Sequence, residues 1–236
     1  MSTLPQCIAS HSGFSFFHTP PCAIIRQIYP IKETRTRVNL VEEFKRHRGR
    51  LFVVSGPSGV GKDTALDQFF LRVSGVVRSV SATTRPPRPG EREGVDYFFL
   101  STPEFEKRIE TQGFLEWALY GHNHYGTPRD RVEAWLNEGN DVVLKIEVQG
   151  ALSIKTLAPD ARLVFLQPPS LEELERRLRA RDTDTEEKVQ ERLAIAREEL
   201  AHRREYHYLI TNDNLEAAVN ALCAIVLAER CKIAPE

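Results

Sequence analysis

The sequence predicts an α/β protein: a five-stranded parallel sheet with helices on both faces and a small mixed lobe inserted into it. Three observations carry this reading. Short apolar runs alternate with stretches of helical period along residues 50–232. The first run ends in a glycine-rich turn, GPSGVGK (residues 56–62), that leads straight into a helical pattern. The alternation then breaks between about residues 85 and 123, where prolines, glycines and aromatic residues replace the regular periods.

The elements follow in order. RLFVVSG (residues 50–56) is a short apolar run closed by glycine, hence a buried strand, and a helix follows over residues 61–71. VVRSVSA (residues 76–82) reads as a second strand. Thr102 and Pro103 open a helix that turns Phe105 and Ile109 inward. Thr127 and Pro128 open another, with Val132, Trp135 and Leu136 on one side and Gly139 as its stop. DVVLKIE (residues 141–147) is a third core strand backed by a short helix, and ARLVFLQ (residues 161–167) is a fourth. Ser170 and Glu173 have capping-box spacing at the start of a helix that runs to Arg179. Thr185 begins a long charged helix whose buried stripe is Val189, Leu193, Ala196 and Leu200. YLIT (residues 208–211) is the fifth strand, and a last helix runs from Asn214 to near Lys232. Open α/β sheets bind ligands outside the carboxyl ends of their strands, so the interrupting segment is expected to form a lobe beside that edge.

Composition narrows the function. With 32 Lys and Arg against 33 Asp and Glu, the net charge of −1 gives no global field for nucleic acid or a membrane surface, so any anion site must be built locally. No run approaches the ~20 apolar residues of a membrane helix. The four cysteines, Cys7, Cys22, Cys223 and Cys231, form no CxxC pair and have no histidines at metal-ligand spacing, which favours a reduced intracellular protein. Residues 1–48 differ from the rest: there is no acidic residue before Glu33 and no clean period. They read as a disordered extension, with an organelle transit peptide as the alternative. The compartment is accordingly cytoplasmic, or organellar under that alternative. VNLVEEFKRHRGR (residues 38–50) has the look of a short helix leading into the domain at residues 49–232.

Two stretches carry chemistry. Gly56-Pro57-Ser58-Gly59-Val60-Gly61-Lys62 fits GxxxxGK between an apolar strand and a helix. That context suits a nucleoside triphosphate: backbone N–H groups curl around phosphate oxygens, the helix start adds its positive end, and Lys62 adds a mobile cation. The Ser or Thr that ordinarily follows this lysine is Asp63 here, with Thr64 next, so Mg2+ would be held through water, by Thr64 or by the phosphates. The second stretch is TTRPPRPGEREGVDYFF (residues 83–99), which sets Arg85, Arg88, Glu91 and Tyr97 along a stiffened loop suited to an anion.

The two stretches together resemble guanylate kinases. Thr83-Thr84-Arg85, Arg88, Glu91, Gly94, Tyr97 and Phe99 match the family's signature in order, with Ser79-Val80-Ser81 before it. Phe114-Leu115-Glu116-Trp117-Ala118, Tyr125-Gly126-Thr127, Val148-Gln149-Gly150 and Thr211-Asn212-Asp213 follow, so the likeness spans about residues 50–228. It implies a phosphate-loop kinase core (residues 49–84 and 128–232), a GMP-binding lobe (residues 85–127) and a helical lid (about residues 177–192). It also implies transfer of the γ-phosphoryl of ATP to GMP with Mg2+, ATP and GMP being the partners, and it sets no oligomeric state. ATP would be held by Ser55, Gly56, Pro57, Ser58, Gly59, Val60, Gly61, Lys62, Asp63, Thr64 and Asn212. The GMP phosphate falls to Arg85, Arg88, Tyr97 and Tyr125, with Glu91 in the same signature; the base falls to Glu116, with Ser81 and Thr127 beside it. Glu147 would lie near the metal or the guanine amino group, while Lys62, Arg88, Arg177, Arg181 and Arg192 would meet the moving phosphoryl. Two positions before Glu147 the family often has a second acid; here it is Lys145, which receives no role. A non-catalytic peptide-binding relative, and a kinase for a sugar phosphate, are the competing readings. The retained Lys62 opposes the first, and Glu116 opposes the second, because a sugar phosphate offers no guanine to read.

Overall fold

The computed structural model describes residues 48–180 and 185–233. The extension and the helix expected over residues 38–50 fall almost wholly outside that range, and so does Arg181.

Nine strands and seven α-helices make two sheets and their covers among the described residues. The larger sheet has the strands β1 (Leu51–Ser55), β2 (Val76–Arg78), β7 (Asp141–Lys145), β8 (Arg162–Gln167) and β9 (Tyr208–Thr211) in the order β2-β7-β1-β8-β9. Every pairing in it is parallel. It is the five-stranded sheet expected, with β1 at its centre.

The unbroken apolar runs follow from burial on both faces. In β1, Phe52 and Val54 point to one face, where they meet Leu66 and Phe69 of α1 (Lys62–Phe70) and Val219 and Leu222 of α7 (Leu215–Arg230). Leu51 and Val53 point to the other, against Val132 and Leu136 of α3 (Arg129–Asn137) and Ile154 of α4 (Val148–Leu157). Each such side chain contributes roughly 1.5–3 kcal/mol on burial.

The second sheet, in the order β4-β3-β6-β5, is built from β3 (Ala82–Thr83), β4 (Phe98–Phe99), β5 (Phe114–Tyr120) and β6 (Asn123–Pro128). Its core is Ala82 and Phe114 against Phe105 of α2 (Thr102–Glu110). The strand expected over residues 76–82 is therefore two: β2 stops at Arg78, and β3 joins the lobe sheet instead. β2 has three residues and β3 two, too few for a period to mark where the chain changes sheets.

Other boundaries shift by one or two residues. Ser101 rather than Thr102 caps α2, in a full capping box with Glu104. Thr127 belongs to strand β6, so α3 begins after Pro128. β7 ends at Lys145, leaving Glu147 as the N-cap position of α4. Ser170 does accept from the Glu173 amide at the start of α5 (Leu171–Arg179), but the Glu173 carboxylate turns to Arg176 and Arg177, so the box is only half formed. α5 and α6 (Glu186–Ala201) share a small core of Leu174, Leu178, Val189, Leu193 and Ala196.

Candidate functional site

The glycine-rich turn sits between the carboxyl end of the central strand and the start of α1. Gly56, Gly59 and Gly61 all have positive φ, of 146°, 86° and 95°. At Gly56 a Cβ would also come within 2.0 Å of the Leu166 carbonyl oxygen on the neighbouring strand, so only glycine lets the chain leave β1 there. Lys62 is buried. Its ammonium donates to the carbonyls of Gly56 and Pro57, and it lies 3.8 Å from a carboxylate oxygen of Glu147. A lysine thus curls over a glycine-rich turn at a helix start, the arrangement that receives phosphate oxygens. Asp63, next in the chain, is taken by Lys145 at 2.5 Å.

The start of α4 carries one side of the site towards the other. Glu147 at its N-cap faces Lys62, and Gly150 backs the carboxylate of Glu116 on β5. A Cβ at Gly150 would come within 3.0 Å of Glu116 Oε2. Glu116 is 8 % exposed, and its Oε1 accepts a 2.6 Å hydrogen bond from the Thr127 hydroxyl across the β5–β6 pair. Burial raises the Glu116 carboxyl above its ordinary value, against the opposing Thr127 bond.

The stiff loop between β3 and β4 folds on itself. Arg85 grips both oxygens of Glu91 at 2.8 and 3.0 Å and stacks 5.4 Å above the Tyr97 ring, whose centroid is 6.1 Å from that of Tyr125. The Arg88 amide donates to the same Glu91 carboxylate at 2.7 Å, while the residue itself is exposed. Glu91 is thus placed as the partner that holds Arg85. Ser81 is half-buried at the foot of the loop, where its carbonyl accepts from the Phe98 amide.

From the opposite side α5 rests on the glycine-rich turn, since a Cβ on Gly59 would strike Leu178 at 2.7 Å. Arg177 donates to Glu173 at 2.7 Å and to the Asn212 carbonyl at 3.0 Å. Buried Asn212 in turn donates from its amide to the Val60 carbonyl at 2.8 Å, which ties the end of β9 to the turn. Arg192 is half-buried on α6.

One group near this site was not legible in the sequence. Glu199, late in α6, is pushed up to about 7, first by burial and then by the Glu147 charge, against the pull of Lys62. Burial likewise pushes the nearby Tyr206 hydroxyl up to about 12. Glu199 stands beside the apolar stripe in a helix full of acids, so nothing in its spacing separates it from its solvated neighbours. Because the folded state holds this proton longer than the unfolded one, stability falls as pH rises from about 4.5 through about 7. Glu199→Gln is therefore expected to raise stability at alkaline pH by on the order of 1–2 kcal/mol, allowing for partial exposure, with no gain below the ordinary carboxylate range. Urea unfolding of both forms across that span checks the sign.

A parallel sheet with a glycine-cradled lysine at its central strand, and a separate lobe presenting arginines, tyrosines and a buried glutamate, defines a phosphate-loop nucleotide-binding protein of the kinase kind. The comparisons with known proteins narrow this. The chain belongs to the guanylate kinase family, whose model matches residues 48–229. A guanylate kinase of Gloeobacter violaceus is 54 % identical over 180 residues, covering 76 % of this chain and 88 % of that protein. One of Synechococcus sp. is 52 % identical over 179 residues, covering 76 % and 82 %. Among solved structures, guanylate kinase from Anaplasma phagocytophilum is 32 % identical, covers 79 % of this chain and 89 % of its own, and superposes with a TM-score of 0.64.

Proposed function

We infer that this protein transfers the γ-phosphoryl group of ATP to GMP, giving ADP and GDP. The observation that carries the reading is the pair of unlike sites joined by the start of α4: Lys62 over the phosphate loop at one end and buried Glu116 at the other. Guanine offers N1–H and N2–H2 donors side by side, and a carboxylate accepts both. Adenine presents a lone pair at N1 and is repelled. The attacking GMP phosphate is already ionised near neutral pH, so no general base is needed. The work is alignment and neutralisation of charge.

In this reading Arg85, Arg88, Tyr97 and Tyr125 bind the GMP phosphate. Glu91 pre-sets Arg85, as its two-oxygen grip supports. Ser81, Thr127 and Glu116 surround the base. Ser55, Thr64 and the turn from Gly56 to Asp63 hold ATP, Asp63 through its backbone amide and not its side chain, with Asn212 at the adenine end. The lobe over residues 85–127 and a lid around residues 177–192 close on the core over residues 49–84 and 128–232, bringing in Arg177, Arg181 and Arg192 and excluding water. Residues 1–48 lie outside the unit that does this work.

The divalent metal of such kinases is proposed to be Mg2+. Mg2+ takes one or two carboxylates, substrate phosphates and waters rather than an all-protein cage. The donors near the loop fit that habit: the Thr64 hydroxyl and the Glu147 carboxylate. No group of three or more acidic, histidine or cysteine side chains suited to a metal occurs among the described residues. When bound, the ion neutralises phosphate charge. We place the reaction in the cytoplasm. No helix among the described residues is long and apolar enough to cross a membrane.

The test is a coupled assay of ADP formation offered GMP, AMP, CMP and UMP in turn. GMP alone is expected to turn over well. A preference for AMP, or no turnover of GMP with ATP and Mg2+, ends the proposal.

A further inference from the structure

Asp63, where a Ser or Thr ordinarily follows the loop lysine, and Lys145, where guanylate kinases often have an acid, touch each other. Asp63 occupies the second position of α1, directly after Lys62. Lys145 closes β7, in register with Val54 of the central strand, and its ammonium reaches across to Asp63 Oδ1 at 2.5 Å. The residues are 82 positions apart in the chain, so the contact is made by the fold alone.

The start of α1 is where incoming phosphate would collect its amides and the positive helix end. A bare carboxylate in that first turn would use the same field and repel the triphosphate. We propose that Lys145 is a positioning residue for nucleotide binding: it neutralises and holds aside the Asp63 carboxylate, so that the phosphate loop stays receptive to a polyanion.

The other charges around Asp63 support this division of labour. Arg78, on the far side, is engaged by Asp67 at 2.5 Å. Lys62 is turned to the loop carbonyls and Glu147. Aspartates are ordinarily ionised at neutral pH, and without Lys145 the Asp63 carboxylate would stand beside the loop as an uncompensated negative charge. The pair is partly solvated, at 36 % and 66 % side-chain exposure, and exposed pairs contribute little to stability. Its consequence is local electrostatics.

The inference rests on the reading of the loop as a nucleotide site, and its test separates the two. ADP binding is measured by titration calorimetry on the full chain without a divalent ion, so that the readout does not depend on turnover. Lys145→Ala is expected to weaken ADP binding about tenfold, the size of one unit charge a few ångströms away in a partly solvated setting. Asp63→Ala alone is expected to bind as tightly as the parent or more so, and the double variant Asp63→Ala/Lys145→Ala to recover parent affinity. Lys145→Arg should keep it, and the KM for GMP should not move in any of the four.

A double variant as weak as Lys145→Ala, or a weakened Asp63→Ala, overturns the proposal. The second arm stands even if Lys145→Ala fails to fold. Failure of the parent chain to bind ADP at all would instead count against the nucleotide site itself.

Discussion

Glu116→Gln is expected to lower kcat/KM for GMP by about 10²- to 10³-fold while leaving the KM for ATP within about threefold. The sign follows from what the Thr127 hydroxyl does. It donates to Glu116 Oε1 across the β5–β6 pair, so in the amide variant it will still select the oxygen and leave the NH2 group facing the guanine donors. Two donors then meet a donor in a buried setting. The cost is one charge-assisted hydrogen bond plus an unpaired polar group, a few kcal/mol in all. ATP binding is expected to be spared, since Glu116 lies behind Gly150 of α4 whereas Lys62 faces Glu147 at that helix's N-cap.

The same carboxyl gives a pH signature. Burial raises it above its ordinary value, and the carboxylate is the form that accepts both donors. As pH falls through that raised value, a proton occupies one acceptor and the KM for GMP rises. The GMP phosphate itself gains a proton near pH 6 and adds a slope of its own. That part persists in Glu116→Gln, and the difference between the two profiles isolates Glu116. A variant that loses ATP and GMP together would remove Glu116 as the reader of the base.

The core was legible because its physics is local. A strand buried on both faces must be apolar throughout, and RLFVVSG could be little else; the glycine-rich turn after it needs positive φ at three places, which GPSGVG announces. The lobe was legible as an interruption but not as a sheet. Its strands β3 and β4 are two residues each, too short for any period to show. The change of sheet after Arg78 was hidden for the same reason: β2 has three residues and β3 only two.

The site divided along similar lines. Residues of a short motif, such as Arg85, Arg88, Glu91 and Tyr97, became candidates through their likeness to the guanylate kinase signature. Contacts that depend on distant segments could not. The grip of Glu91 on Arg85 turns a residue of the signature into a support for its neighbour. Lys145 looked like a missing acid until β7 was set beside β1, and Glu199 looked solvated until α6 was packed against the core.

Lys62→Ala is expected to reduce phosphoryl transfer by at least about 10³-fold while GMP binding stays within about threefold. The ammonium now donates to the Gly56 and Pro57 carbonyls, with Glu147 3.8 Å away. None of these partners matches the charge of a triphosphate, so an arriving γ-phosphate would draw the ammonium out along its flexible stem and take their place as acceptor. Removing it leaves the negative charge of the moving phosphoryl short of one cation in a partly dry site, where such groups account for several kcal/mol of barrier.

Arginine is a poor substitute. Its planar fork is broader than an ammonium, and Lys62 is only 9 % exposed between the loop and Glu147, so Lys62→Arg should recover little activity. In the proposed arrangement the GMP phosphate and base are held mainly from the lobe side, by Arg85, Arg88, Tyr97, Tyr125 and Glu116, so calorimetry with GMP alone should find its affinity kept. An equal collapse of GMP binding and transfer would mean that the two sites are one, and the division between lobe and loop would have to be given up.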